Sequence, residues 1–93
     1  MTTRTVTIAS RSGLHARPAA IFAQAAGSAG VPVTIAPVGG APVDASSVLR
    51  VMALGLGHGA EVELSADGPD AEPALDRLAA LLATDLDAPA GQQ

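Results

Sequence analysis

Apolar and polar residues alternate near the start of the chain. Val6 and Ile8 fall on one side and Thr5 and Thr7 on the other, the pattern of a half-buried strand. The stretch SRSG breaks that alternation, and from Ala16 the spacing becomes helical. Ile21, Phe22, Ala25 and Ala26 are neighbours three and four apart, and Gly27 and Gly30 supply a stop, which predicts a first helix of about three turns. Alternation returns through Val31, Val33 and Ile35. The GGAP stretch then turns the chain into a short strand around Val43, and the prolines of this region predict an edge position because they remove ladder donors. DASSVLRVMALG predicts a short helix capped by Ser46 or Ser47 and ended by Gly55, with Val48, Leu49, Val51 and Met52 on its apolar side. In AEVELSA, Val62 and Leu64 oppose Glu61 and Glu63, the clearest strand of the chain. Leu75, Leu78, Ala79 and Leu82 then mark a last helix, with Asp70 and Glu72 near its positive dipole end and Pro73 in the only turn that tolerates it.

The resulting order is βαββαβα. Helices covering one face of a small sheet, with strands that alternate apolar and polar, point to an antiparallel open-faced α/β sandwich of the α+β kind. A length of 93 residues fits one domain, expected over residues 1–88, with 89–93 as a loose tail. No run approaches the roughly 18 apolar residues of a membrane span, and MTTRTVTIAS lacks the apolar core of a signal peptide, so a cytoplasmic protein with no membrane insertion is expected.

Composition narrows the chemistry. Phe22 is the single aromatic, so the interior is built from aliphatic groups and offers little to a flat cofactor. The absence of Cys excludes disulfides, thiolate catalysis and Cys-based zinc sites, and no metal or cofactor is expected. The net charge of −4 is unevenly placed. Residues 1–43 hold Arg4, Arg11 and Arg17 and no acid, whereas residues 44–93 hold all nine acids against Arg50 and Arg77. Without a basic stripe and stacking aromatics, nucleic acid is a poor partner, and a single anionic group near residue 15 fits better.

That region reads GLHARPAA, residues 13–20. With Gly13 behind it and Pro18 in the first turn, His15 is expected at the N-cap or first position of the first helix, facing first-turn amides and the positive dipole end. This field disfavours imidazolium and keeps the ring neutral and nucleophilic. The same amides would receive the oxygens of a phosphoryl group on the ring, and Arg17 would add charge-assisted hydrogen bonds. By contrast, His58, between glycines, reads as an exposed turn residue.

At Gly13, Leu14, His15, Ala16, Arg17, Pro18 and Ala19 the sequence resembles the histidine-containing phosphocarrier (HPr) family of the bacterial sugar phosphotransferase system. The similarity continues through residues 42–75 and spans about residues 3–83. The resemblance implies a four-stranded antiparallel sheet covered by three helices. It also implies a carrier that is not itself an enzyme and has no complete active site, working as a monomer. His15 would take a phosphoryl group on Nδ1 from enzyme I, charged by phosphoenolpyruvate, and pass it to sugar-specific IIA proteins or domains. Arg17 would stabilise the group, and Ser12, Ala16 and Pro18 would shape the helix start that binds it. The implied partner surface draws on Ala20, Val48, Leu49, Arg50 and Met52, with Phe22 assignable to it or to the core and part of Met52 assignable to the core as well. Ser47 matches the serine that a dedicated kinase phosphorylates in many relatives, although Ser46 stands where a lysine is usual; it reads first as a simple N-cap, and a capping hydroxyl can also be a phosphorylation site. The alternatives are a regulatory interaction module using the same face, or a carrier serving a nitrogen-linked or dihydroxyacetone phosphorylation chain.

Overall fold

The computed structural model describes residues 1–11, 13–14 and 16–84. Ser12, His15 and the expected tail at 89–93 lie outside the described residues. The elements are β1 (Thr2–Thr7), α1 (Ala16–Gly27), β2 (Val33–Pro37), β3 (Val43–Asp44), α2 (Val48–Ala53), β4 (Glu61–Ala66) and α3 (Ala71–Leu82), in the expected order. The four strands form one sheet in the order β1-β4-β2-β3, every pair antiparallel. With three helices packed over it, the expected open-faced sandwich is what the chain forms.

β4 lies inside the sheet, between β1 and β2, and its residues alternate between buried and more exposed. Val62, Leu64 and Ala66 are buried and Glu61 and Glu63 exposed, and Leu64 stands in register with Arg4 on one side and Ile35 on the other. In β1 the threonines at 3, 5 and 7 face solvent while Val6 is half-buried, and Ile8 just beyond the strand is fully buried. The alternation of β2 is less regular, because Ala36 is buried along with Val33 and Ile35.

The proline argument holds for one strand only. β3 is an edge, but β2 is interior, paired with both β4 and β3. Pro37 is tolerated there because it lies at the strand's end, past Thr34 and Ile35, the two residues that β3 reaches. Val31 stays outside the strand.

Ile8, Leu14, Phe22, Ile35, Val51, Val62, Leu64, Leu75 and Leu82 fill the space between sheet and helices, each at most 2% exposed. Phe22 therefore belongs to the core and not to the partner surface. α3 presents Leu75, Leu78 and Leu82 to β1 and β4, and Arg4 pins the outer strand to it through Nε to Asp76 Oδ1 at 2.9 Å. Glu72 lies 4.0 Å from the same guanidinium. Folding thus neutralises one of the three arginines that make the N-terminal half positive.

Candidate functional site

The GLHARPAA stretch enters α1 under tight backbone constraint. Gly13 has φ +74°, and a Cβ there would collide with the Leu56 carbonyl oxygen and come within 2.7 Å of the Gly57 Cα. Only glycine combines that backbone conformation with so close an approach. Gly13 N–H donates to Ser10 O at 2.9 Å, and Leu14 N–H donates to Leu56 O at 2.9 Å while its side chain is buried. The segment that carries the motif is thereby fastened to the chain following α2. No periodicity in the sequence marks this long-range contact; glycines at both 13 and 57 are its only trace.

Ala16 is the first residue of α1, so the sequence places His15 immediately before the helix. Ala16 and Arg17 are exposed, Pro18 and Ala19 are buried, and Ala20 is exposed again. Pro18 occupies a first-turn position, where its missing N–H has no helical carbonyl to lose and its fixed φ suits the helix. Its buried ring anchors the turn on which Arg17 points outward. The first turn contains no acidic residue to compete for the guanidinium or to repel an anion.

α2 runs back along α1. Gly27 at the end of α1 lies beside Ser46, its Cβ position 3.8 Å from that of the serine, whereas Leu56, beyond the end of α2, meets Leu14 before the start of α1. The C-terminal end of α2 therefore lies toward the GLHARPAA stretch and Ser47 lies at the far end. The apolar residues of α2 divide. Val51 is fully buried and Val48 half-buried, while Leu49 is 80% and Met52 38% exposed. The expectation of one apolar side is corrected accordingly: in a helix of six residues, the core can take only the positions that face it. Leu49, Met52 and Arg50 of α2 and Ala20 and Arg17 of α1 are exposed, and the two helices pack against each other.

Ser47 is the N-cap of α2, its Oγ accepting from Arg50 N–H at 3.3 Å. Ser46 is engaged differently: its N–H and Oγ both donate to Asp44 Oδ1, at 2.9 and 2.7 Å. These bonds, led by the hydroxyl, hold the Asp44 carboxyl below the ordinary aspartate value of 3.8, with a smaller contribution from the Arg50 charge. His58 is exposed in the turn before β4, as expected.

A hollow of about 320 Å³ lies at the opposite end of α1, between Gly27, Gly30, Pro32, Asp44 and Ser46. No group of three or more metal-ligating side chains occurs among the described residues, and no described helix is long and apolar enough to cross a membrane.

The fold and the exposed side chains define a small α+β open-faced sandwich with an outward arginine at a helix start and exposed apolar side chains on the helix beside it. The comparisons with known proteins give that class its family. The family model described as the PTS HPr component phosphorylation site matches residues 2–84. The phosphocarrier protein HPr of Streptomyces coelicolor is 51% identical over 87 residues, which cover 94% of either chain. That of Haloferax volcanii is 45% identical over 85 residues, covering 87% of this chain and 92% of its own. The crystal structure of HPr from Bacillus anthracis matches with a TM-score of 0.81 at 36% identity, over 87% of this chain and 95% of that one. The chain belongs to the HPr family of phosphocarrier proteins of the phosphotransferase system.

Proposed function

We propose that His15 of this chain accepts a phosphoryl group from enzyme I, charged by phosphoenolpyruvate, and hands it to IIA proteins or domains in the cytoplasm for carbohydrate uptake. The observation that carries this reading is the position of GLHARPAA at the start of α1, within the residues that match a family described by its phosphorylation site. In-line transfer breaks the bond from phosphorus to the donor as the bond to the imidazole nitrogen forms. It needs alignment and charge stabilisation more than a set of acid and base side chains. First-turn amides and the Arg17 guanidinium provide the charge stabilisation, Ser12 helps shape the helix start, and the donor protein supplies the rest of the alignment. The partner surface is the α1–α2 side: Leu49, Met52 and Val48 as its apolar part, with Ala20, Arg17 and Arg50 around it. Exposed aliphatic contacts with arginine at the rim suit weak, fast docking to an acidic partner. Ser47, at the far end of α2, is a cap whose phosphorylation would add negative charge to that side.

Incubation with phosphoenolpyruvate, magnesium and the cognate enzyme I should add one acid-labile, base-stable phosphate to the protein, seen by intact mass. His15→Ala should abolish the gain, and its persistence would move the acceptor elsewhere. Discharge to a IIA partner within seconds separates a carrier from a regulatory module that keeps its phosphate.

A further inference from the structure

We infer that Met52 is an oxidation site that regulates docking: conversion of its thioether to the sulfoxide weakens partner binding while leaving the fold in place. The inference rests on the docking reading above and adds to it a chemical modification. The chain has no Cys, Trp or Tyr and only two methionines. Met1 is at the terminus, its amine 3.4 Å from Asp67 beyond the end of β4. Met52 is thus the one sulfur set within a helix, and at 38% exposure it is open to a small oxidant.

Its position gives oxidation a consequence. Met52 follows Leu49 by three residues and Val48 by four, so the three side chains adjoin on one stretch of the α2 surface. It lies on the C-terminal half of α2, toward the segment that leads into α1. A thioether is a soft apolar contact that adapts to a partner. A sulfoxide carries a strong acceptor oxygen, and pressing it against an apolar partner leaves that oxygen without a donor. Solvent already reaches Met52 in the free protein, so the same oxygen is hydrated there and costs the fold little. The oxidant is hydrogen peroxide. Sulfur takes one peroxide oxygen as the O–O bond breaks and is oxidised by two electrons, and the other oxygen leaves as water after a proton passes to it.

The test treats the full-length protein with hydrogen peroxide, follows the added oxygen by peptide mapping, and titrates treated and untreated samples against the cognate enzyme I. Oxidation at Met52 should weaken binding roughly tenfold, the effect of one unpaired polar oxygen at a desolvated contact, with the thermal midpoint nearly unchanged. In Met52→Leu, compared only with its own untreated sample, peroxide should no longer change affinity although Met1 still oxidises. Methionine sulfoxide reductase should restore the treated wild-type protein. Equal affinity with Met52 fully oxidised, resistance of Met52 to peroxide, or loss of affinity that follows unfolding would each overturn the inference. Failure of the untreated protein to bind enzyme I would instead overturn the docking reading on which it rests.

Discussion

Helices α3 and α2 are both rich in aliphatic residues, and they use them in opposite ways. Over its twelve residues α3 buries Leu75, Leu78 and Leu82 against the sheet, while its N-cap residue Asp70 makes no side-chain capping bond. Over its six residues α2 buries only Val51 fully, leaves Leu49 and Met52 in contact with solvent, and begins on a capping serine preceded by the Asp44–Ser46 bonds. One helix is held by packing. The other is too short to hold itself and is fixed at its end. Side chains that packing does not require remain available for a partner, so the less buried helix is the one proposed to carry the docking residues.

The sharpest way to break this contrast is truncation of one leucine from each helix. Leu75→Ala should cost about 2–5 kcal/mol of unfolding free energy in a denaturant titration, whereas Leu49→Ala should stay within about 0.5 kcal/mol. Similar losses would mean that Leu49 belongs to the core. Next in size, Leu49→Asp should weaken binding to enzyme I roughly tenfold, as loss of a central interface contact does, with unfolding midpoints that match wild type. Retained affinity in calorimetric titration would move the partner surface away from α2.

The helix starts give a smaller test. Ser47→Ala should destabilise by about 1 kcal/mol, and Asp70→Ala by no more than about 0.5 kcal/mol, both from chemical denaturation; the reverse order would contradict the division between end-fixed and packed helices. The smallest effect concerns acid. Because Ser46 holds the folded-state Asp44 carboxyl below 3.8, this group's contribution is present above that pH and fades as pH falls through the lower folded value. Asp44→Asn should therefore lower stability slightly in the neutral range, where the carboxylate's contribution is present, and flatten the acid side of the profile, so that the difference from wild type shrinks as pH falls, read from denaturation midpoints from neutral pH into acid.

Much of the fold was legible because its determinants are local. The two-residue period of VEL within β4, the helical spacing of Leu75, Leu78 and Leu82, and glycine at 55, where the observed φ of +65° suits a residue without a side chain, each act over a few positions. The start of α1 was legible for the same reason, since GLHARPAA is one continuous stretch and its Ala16 begins the helix. Which apolar residues of α2 would be covered was not legible. Periodicity shows that Val48, Leu49, Val51 and Met52 belong to one helix, but only the placement of α1 and the sheet selects Val51 for the core. Counting charge by halves of the chain failed at Arg4 for a related reason, since its partners Asp76 and Glu72 are more than sixty positions away.

The sequence by itself determined the seven elements in order, the start of α1 at Ala16 with Arg17 in its first turn, and the family to which the chain belongs. Tertiary structure alone decided that β4 lies between β1 and β2, that Phe22 is core, and that Gly13 and Leu14 are fastened to Leu56 and Gly57. Dihedral preference and side-chain period are properties of neighbouring residues and can be read along the chain. Strand neighbours and the fit of one loop against another follow from how all the apolar faces close over one another at once.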